Sequence, residues 1–278
     1  MTLAIETHQL TRYFNDFCAV SGIDLAVERG TFYGFLGPNG AGKSTTMKML
    51  TGLLGASGGQ MMVLGRNMLD PHDALEAKRR MGVIPEDLAL FDNLTAREYL
   101  TFVGRIHLMP RDTIRTRCDE LLSILDLQDE EKKLTLEYSH GMKKKLAMAA
   151  ALLPNPDLLF LDEPFEGVDA VTSRVIRDLL AGFVARGSTV FLTSHILEIV
   201  ERLCTHIAII HRGQLVAQGS LEELRAGVAR AAPPPRPGEA AASPANLTLE
   251  EIFLEVVGTD RAGNLAASPP EQELSWLS

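Results

Sequence analysis

Positive charge is in short supply in this chain: 27 Lys and Arg stand against 36 Asp and Glu, a formal net charge of −9. Non-specific binding to nucleic acid needs clustered cations to displace counterions, so this balance argues against a nucleic-acid partner. Cysteine is scarce as well. Cys18, Cys118 and Cys204 form an odd set without paired spacing, which suggests neither a disulfide framework nor a zinc site and suits a reducing compartment. No stretch approaches the about 18 apolar residues of a membrane span, and Met1 to Leu10 lacks a basic start followed by an apolar run. The expectation is therefore a soluble, cytoplasmic chain. Internal repeats are missing, and so is an Asn-Lys-x-Asp segment of the kind that reads the base in GTPases. What is present, 46% hydrophobic residues in a chain of 278, suffices for a substantial core.

The chain is organised around Gly37-Pro38-Asn39-Gly40-Ala41-Gly42-Lys43-Ser44-Thr45, which matches the P-loop pattern of Gly, four free positions, then Gly-Lys-Ser. Glycines let the backbone wind closely round a phosphate chain with several N–H groups pointing inward. A helix over roughly 42–53 would add its positive N-terminal end, Lys43 would reach the β- and γ-phosphates, and the Ser44 hydroxyl would ligate magnesium. Upstream, residues 31–36 read as a buried strand, the setting this motif demands. A chance glycine turn is the bland alternative, and the strand before and helix after weigh against it.

Residues 4–7 and 22–27 alternate apolar with polar positions, as half-buried strands do. Between them, Tyr13 is open to two uses, core packing or a platform on which a base stacks. Residues 81–84 form a short apolar strand ending at Pro85-Glu86, which makes Glu86 a candidate at a strand end. Residues 88–152 look helical and inserted between strands, with a capping box at Thr95 and Glu98 and a second helix over 113–127 that aligns Ile114, Cys118, Leu121, Leu122 and Leu125. Tyr138-Ser139-His140-Gly141-Met142 then opens an alanine-rich helix whose free N–H groups suit an anion, while Lys143, Lys144 and Lys145 read equally well as a solvated face. Next, 158–161 deliver Asp162 and Glu163 at the end of an apolar strand, which fits the second half of a P-loop site: Asp162 holding hydrated magnesium and Glu163 taking a proton from the attacking water. Residues 188–194 repeat the device and end at His195, a candidate γ-phosphate contact.

These pieces in this order resemble the ATP-binding cassette family, in particular the separate ATPase subunits of bacterial transporters, usually exporters, over roughly residues 3–222. The resemblance implies an α/β P-loop NTPase (RecA-like) core, about 1–87 and 153–222, with an antiparallel β part and a helical subdomain inserted at about 88–152. It implies ATP and Mg2+ as ligands, with the P-loop residues 37–45 binding ATP, Ser44, Glu86 and Asp162 on the metal, Glu163 as catalytic base and His195 at the γ-phosphate. By position Tyr13 matches the aromatic that stacks on adenine. Ser139, His140, Gly141 and Met142 match the signature that faces ATP held by another protomer, and Asp169 matches the loop linking the two sites. A homodimer or paired cassette follows, as does a membrane permease partner received by the groove near Glu86, placing the chain on the inner face of the cell membrane. Two departures stand out. His140 replaces a glycine of the usual signature, and Glu86 replaces a glutamine. Rival classes are a cassette ATPase working on nucleic acid or ribosomes, whose relatives carry a coiled coil or two cassettes, and a nucleotide-binding regulator without hydrolysis.

Beyond the cassette, 223–246 read as a Pro/Ala-rich linker, 247–258 as an amphipathic helix with Leu249, Ile252, Phe253 and Val256 on one face, and 259–278 as a disordered tail carrying Trp276.

Overall fold

A computed structural model describes residues 2–231 and 247–262. In chain order the elements are β1 (Leu3–Phe14), β2 (Phe17–Ile23), β3 (Ala26–Glu28), β4 (Phe32–Leu36), α1 (Lys43–Leu50), β5 (Gly58–Val63), β6 (Arg66–Asn67), α2 (Pro71–Lys78) and β7 (Met81–Ile84). There follow α3 (Ala96–Ile106), α4 (Arg111–Ile124) and α5 (His140–Leu152), then β8 (Leu158–Asp162), α6 (Ala170–Ala185), β9 (Thr189–Ser194), α7 (Leu197–Leu203), β10 (His206–His211), β11 (Gln214–Ser220), α8 (Leu221–Ala231) and α9 (Leu249–Ala262).

The strands sort into two sheets. One is antiparallel, in the order β2-β1-β5-β6 with β3 also paired to β1. The other runs β11-β10-β4-β9-β8-β7 and is parallel except for β11. Parallel sheets need both faces covered, and the composition meets that need: every residue of β4, β8 and β9 is buried. One face carries a ring cluster in which Phe191 lies 5.5–5.7 Å from Tyr33, Phe35 and Phe160 and packs toward α1 and the antiparallel sheet. The other, with Leu36, Leu161 and Leu192, is covered by α5, α6, α7 and α9. A separate cluster of Leu100, Ile114, Cys118, Leu122 and Leu146 holds α3, α4 and α5 together. The capping box opens α3, Thr95 and Glu98 bonding each other's backbone N–H.

Several expectations are corrected. The strand read over 22–27 is broken: Gly22 is left-handed (φ +61°), β2 ends at Ile23 and β3 begins at Ala26. The helix read over 113–127 starts and stops earlier, since Asp126 turns left-handed (φ +55°), although Leu125 and Leu127 are still buried in the same cluster. The linker read from 223 starts later, because α8 continues to Ala231. Its Pro-rich part and most of the tail, Trp276 included, lie outside the described residues. Among the described residues no helix is long and apolar enough to cross a membrane.

Candidate active site

Four parallel strands, β7, β4, β8 and β9, end on one edge of the sheet, where open α/β folds place their ligands. β4 feeds the P-loop. Two of its glycines are required by close approach: a Cβ at Gly37 would meet the Ile210 carbonyl oxygen at 2.3 Å, and one at Gly42, whose φ is +108°, would meet that of Ala19 at 2.7 Å. Gly42 caps α1 without a side chain, so the first N–H groups of that helix have no side-chain cap and suit phosphate oxygens. Lys43 is buried, donating to the carbonyls of Gly37 (2.7 Å) and Pro38 (3.3 Å). Its Nζ also lies 4.0 Å from Glu163 Oε1. Desolvation pulls the Lys43 pKa down, and the charges of Glu163, Asp162 and Glu86 oppose that shift.

β8 delivers the two acids. Asp162 is buried and its Oδ1 accepts from the hydroxyls of Thr193 and of Ser44, the latter at 3.4 Å. Glu163 is 7% exposed and left-handed (φ +46°), a conformation unusual for a residue other than glycine. Its N–H donates to the carbonyl and the hydroxyl of Thr193, and its carboxylate meets His195, with Oε1 3.0 Å from Nδ1 and Oε2 accepting from the His195 N–H at 3.3 Å. Glu86, exposed at the end of β7, has its pKa pushed up by desolvation and by the charges of Asp162, Glu166, Asp87 and Glu163. The Ser44 hydroxyl and the Asp162 carboxylate, 3.4 Å apart, with Glu86 lining the same cavity, offer hard oxygen donors of the kind that fit a divalent cation such as Mg2+.

These groups line one cavity of about 480 Å³, which Asn39, Gly40, Gly42, Lys43, Ser44, Thr45, Glu86, Glu163 and His195 share. Gly37, Pro38, Ala41 and Asp162 are not among the residues that line it. Tyr13 is half exposed, so it is not core, and it falls outside the lining of this cavity; it pairs with Cys18, and the Cys18 thiol beside its hydroxyl pushes its pKa up. The aromatics on the cavity are Phe14 and Phe17, paired across the β1–β2 turn and 43% and 65% exposed.

The signature residues stand apart from this cavity. Ser139 caps α5, its Oγ accepting from the Met142 N–H at 3.3 Å, and Ser139 and His140 are exposed. Asp169 is likewise exposed and caps α6, accepting from the N–H groups of Val171 and Thr172 at 2.9 Å. The lysine run is not one solvated face, because Lys144 is buried at 8% exposure while Lys143 and Lys145 are partly exposed. Sequence reasoning missed Phe14, Phe17, Thr193, Glu166 and Lys144. For Phe14 and Phe17 the signal was two aromatics flanking the Asn15-Asp16 turn, and for Lys144 its place one helical turn after His140.

Strand, P-loop and helix, with adjacent acids at the end of β8 one strand beyond the neighbouring β9, define a P-loop ATPase cassette. Residues 20–166 match the ABC transporter family, and the chain belongs to that family. An uncharacterised ABC transporter ATP-binding protein of Nostoc sp. is 40% identical over 208 residues, 74% of this chain and 61% of that protein, so the chain spans about three-fifths of that relative's length. The daunorubicin/doxorubicin resistance ATP-binding protein DrrA of Streptomyces peucetius is 38% identical over 227 residues, 82% of this chain and 68% of DrrA. A solved structure of an ATP binding subunit of an ABC transporter superposes with a TM-score of 0.81 at 27% identity, covering 92% of this chain and 99% of that one.

Proposed function

We propose that the chain binds and hydrolyses ATP and that a pair of such cassettes drives export of a substrate through a separate membrane permease. The observation that carries this reading is the convergence of Lys43, Asp162 and the Glu163–His195 pair on one sheet edge, around a cavity open to solvent. In it, the P-loop N–H groups and Lys43 grip the phosphate chain. Ser44, Glu86 and Asp162 would hold Mg2+, which would supply charge neutralisation for the phosphate chain. Glu163 takes the proton of the attacking water, and His195, fixed by two contacts to that carboxylate, orients the γ-phosphate. Phe14 and Phe17 offer faces to the adenine.

Ser139 and His140, exposed at the start of α5, the partly buried Gly141 and Met142 beside them, and Asp169 would meet a second protomer, which supports a dimer closed by ATP. For the permease, a groove of about 330 Å³ between the core and the helical subdomain is lined by Leu88, Leu90, Tyr99, Val103, His107 and Ala147. At its rim Phe91, 49% exposed, meets Phe102 edge-on at 5.3 Å. Such a wet aromatic rim suits an apolar segment of a membrane protein at its inner surface. Export is favoured by DrrA, a relative named for drug resistance.

The test is the mass in solution of Glu163→Gln with and without magnesium-ATP. Removal of the base leaves binding intact, so ATP should convert monomer to dimer. A variant that binds ATP and stays monomeric counts against dimer closure by the cassette alone, and His140→Gly then shows whether the altered signature is the cause.

A further inference from the structure

Lys144 is a buried cation with no carboxylate within ion-pair distance among the described residues. Its ammonium is satisfied instead by main chain, donating to the carbonyl oxygen of Glu163 at 3.1 Å and to that of Glu166. The two carbonyls bracket Pro164 and Phe165, and the Glu166 N–H closes the same turn on the Glu163 carbonyl at 3.2 Å. At the head of this turn stands Glu163, in a left-handed conformation that must be held by its surroundings. Its N–H is held by Thr193 on β9, and its carbonyl by Lys144 on α5. His140, one helical turn before Lys144, abuts the same loop: a Cβ placed on Gly167 would meet its ring at 3.4 Å. Helix α5 therefore grips the 163–167 turn at both of its ends.

We infer that Lys144 is a positioning residue for hydrolysis: by holding the carbonyls of Glu163 and Glu166 it fixes the backbone from which the Glu163 carboxylate is aimed at the attacking water. The inference rests on the assignment of Glu163 as base. Lys144 does not line the cavity. Without its ammonium the two carbonyls lose their common donor, the Glu163 peptide is free to leave the left-handed conformation, and the carboxylate loses its fixed distance from His195 and Lys43. A P-loop with unchanged geometry would go on binding ATP.

The experiment compares Lys144→Met, Lys144→Arg and Glu163→Gln in the full chain, by steady-state ATP hydrolysis, by equilibrium affinity for a fluorescent ATP analogue and by thermal unfolding. For Lys144→Met, kcat should fall by about tenfold or more while affinity stays within about threefold, and Lys144→Arg, which keeps the donors, should recover kcat to within about threefold of the parent. The inference is overturned if Lys144→Met keeps kcat within about threefold, if kcat and affinity fall together, or if Arg fails to rescue. Should Lys144→Met not fold, Lys144→Gln is held to the same thresholds, and failure of both to fold assigns Lys144 a purely structural role. If Glu163→Gln hydrolyses like the parent, the base assignment fails and takes this inference with it. A dead Glu163→Gln beside a fully active Lys144→Met removes this inference alone.

Discussion

The parallel sheet edge and the outer end of the antiparallel sheet meet at the same cavity and are built in opposite ways. On the parallel side the strands are short, β8 and β9 buried throughout and β7 all but Val83, and each discharges its reactive group at its last residue or just after it: Asp162 and Glu163 from β8, His195 from β9, Glu86 from β7. On the antiparallel side, β1 runs for 12 residues and its last positions are exposed, presenting Phe14 and Phe17 as loose faces. The two acids that must be aimed, Asp162 and Glu163, are embedded, and exposed His195 is held by its contacts to Glu163, whereas Phe14 and Phe17, which need only offer a surface, are left in water. Stacking tolerates an ångström of play, and proton transfer does not.

The largest effect should separate the two sides most sharply. Glu163→Gln is expected to lower kcat by about two to four orders of magnitude with ATP affinity unchanged, checked by turnover and by titration with a fluorescent ATP analogue. Gly42→Ala should abolish nucleotide binding, because its Cβ would lie 2.7 Å from the Ala19 carbonyl oxygen at a φ of +108°. Equilibrium binding measures it, and retained affinity would show that the loop is less constrained than the buried edge around it.

On the exposed side, Phe14→Ala and Phe17→Ala should weaken ATP binding, by up to about 1–3 kcal/mol for a ring that stacks on the base, with kcat nearly unchanged. Tyr13→Ala serves as the control. If Tyr13→Ala weakens binding more than either phenylalanine change, the strand end rearranges to turn Tyr13 inward and the division of labour drawn here fails at that point. Leu249→Ala, in the fully buried contact of α9 with the core, should cost about 2–5 kcal/mol of folding stability without changing affinity, read by denaturant unfolding.

The smallest effect concerns pH. Hydrogen bonds from Thr172 and Val171 hold the Asp169 carboxyl below its ordinary value of 3.8. A depressed folded-state pKa contributes stability that is present above the ordinary value and lost as pH falls through the lowered one. Asp169→Ala should therefore melt below the parent at pH 7, with the gap narrowing toward pH 3.

Much of the parallel edge was legible in the sequence because its logic is local. An apolar run followed by Asp162-Glu163, or a glycine loop followed by Lys43-Ser44, carries strand, turn and chemistry in consecutive residues. Legibility failed where a side chain's task depends on what crosses over it. Phe14 and Phe17 were missed because position in a pattern was visible and the course of an irregular hairpin was not; the pairing of β1 with β2 shifts register between Leu10, Arg12 and Tyr13. Lys144 read as one of three surface lysines because its partners, two main-chain carbonyls about 20 residues downstream, have no sequence signature. The break at Gly22 and the early stop of α4 were hidden for a related reason: apolar spacing continues past both, while the backbone turns left-handed.

Helix α9 carries a consequence for biosynthesis. Leu249 and Ile252 are fully buried in a cluster with Val200 of α7, Leu221 and Leu224 of α8 pack against that cluster, and Arg225 ties α8 back to the Leu247 carbonyl and to Glu201. Every other described element leaves the ribosome before α9. Until α9 emerges, an apolar patch covering the helix that begins two residues after His195 stays open to proteases and chaperones. A nascent cassette thus has its P-loop assembled while still marked as unfinished, and nonsense mutations between Ala231 and Leu249, which remove α9, should yield cleared, rather than merely shortened, protein.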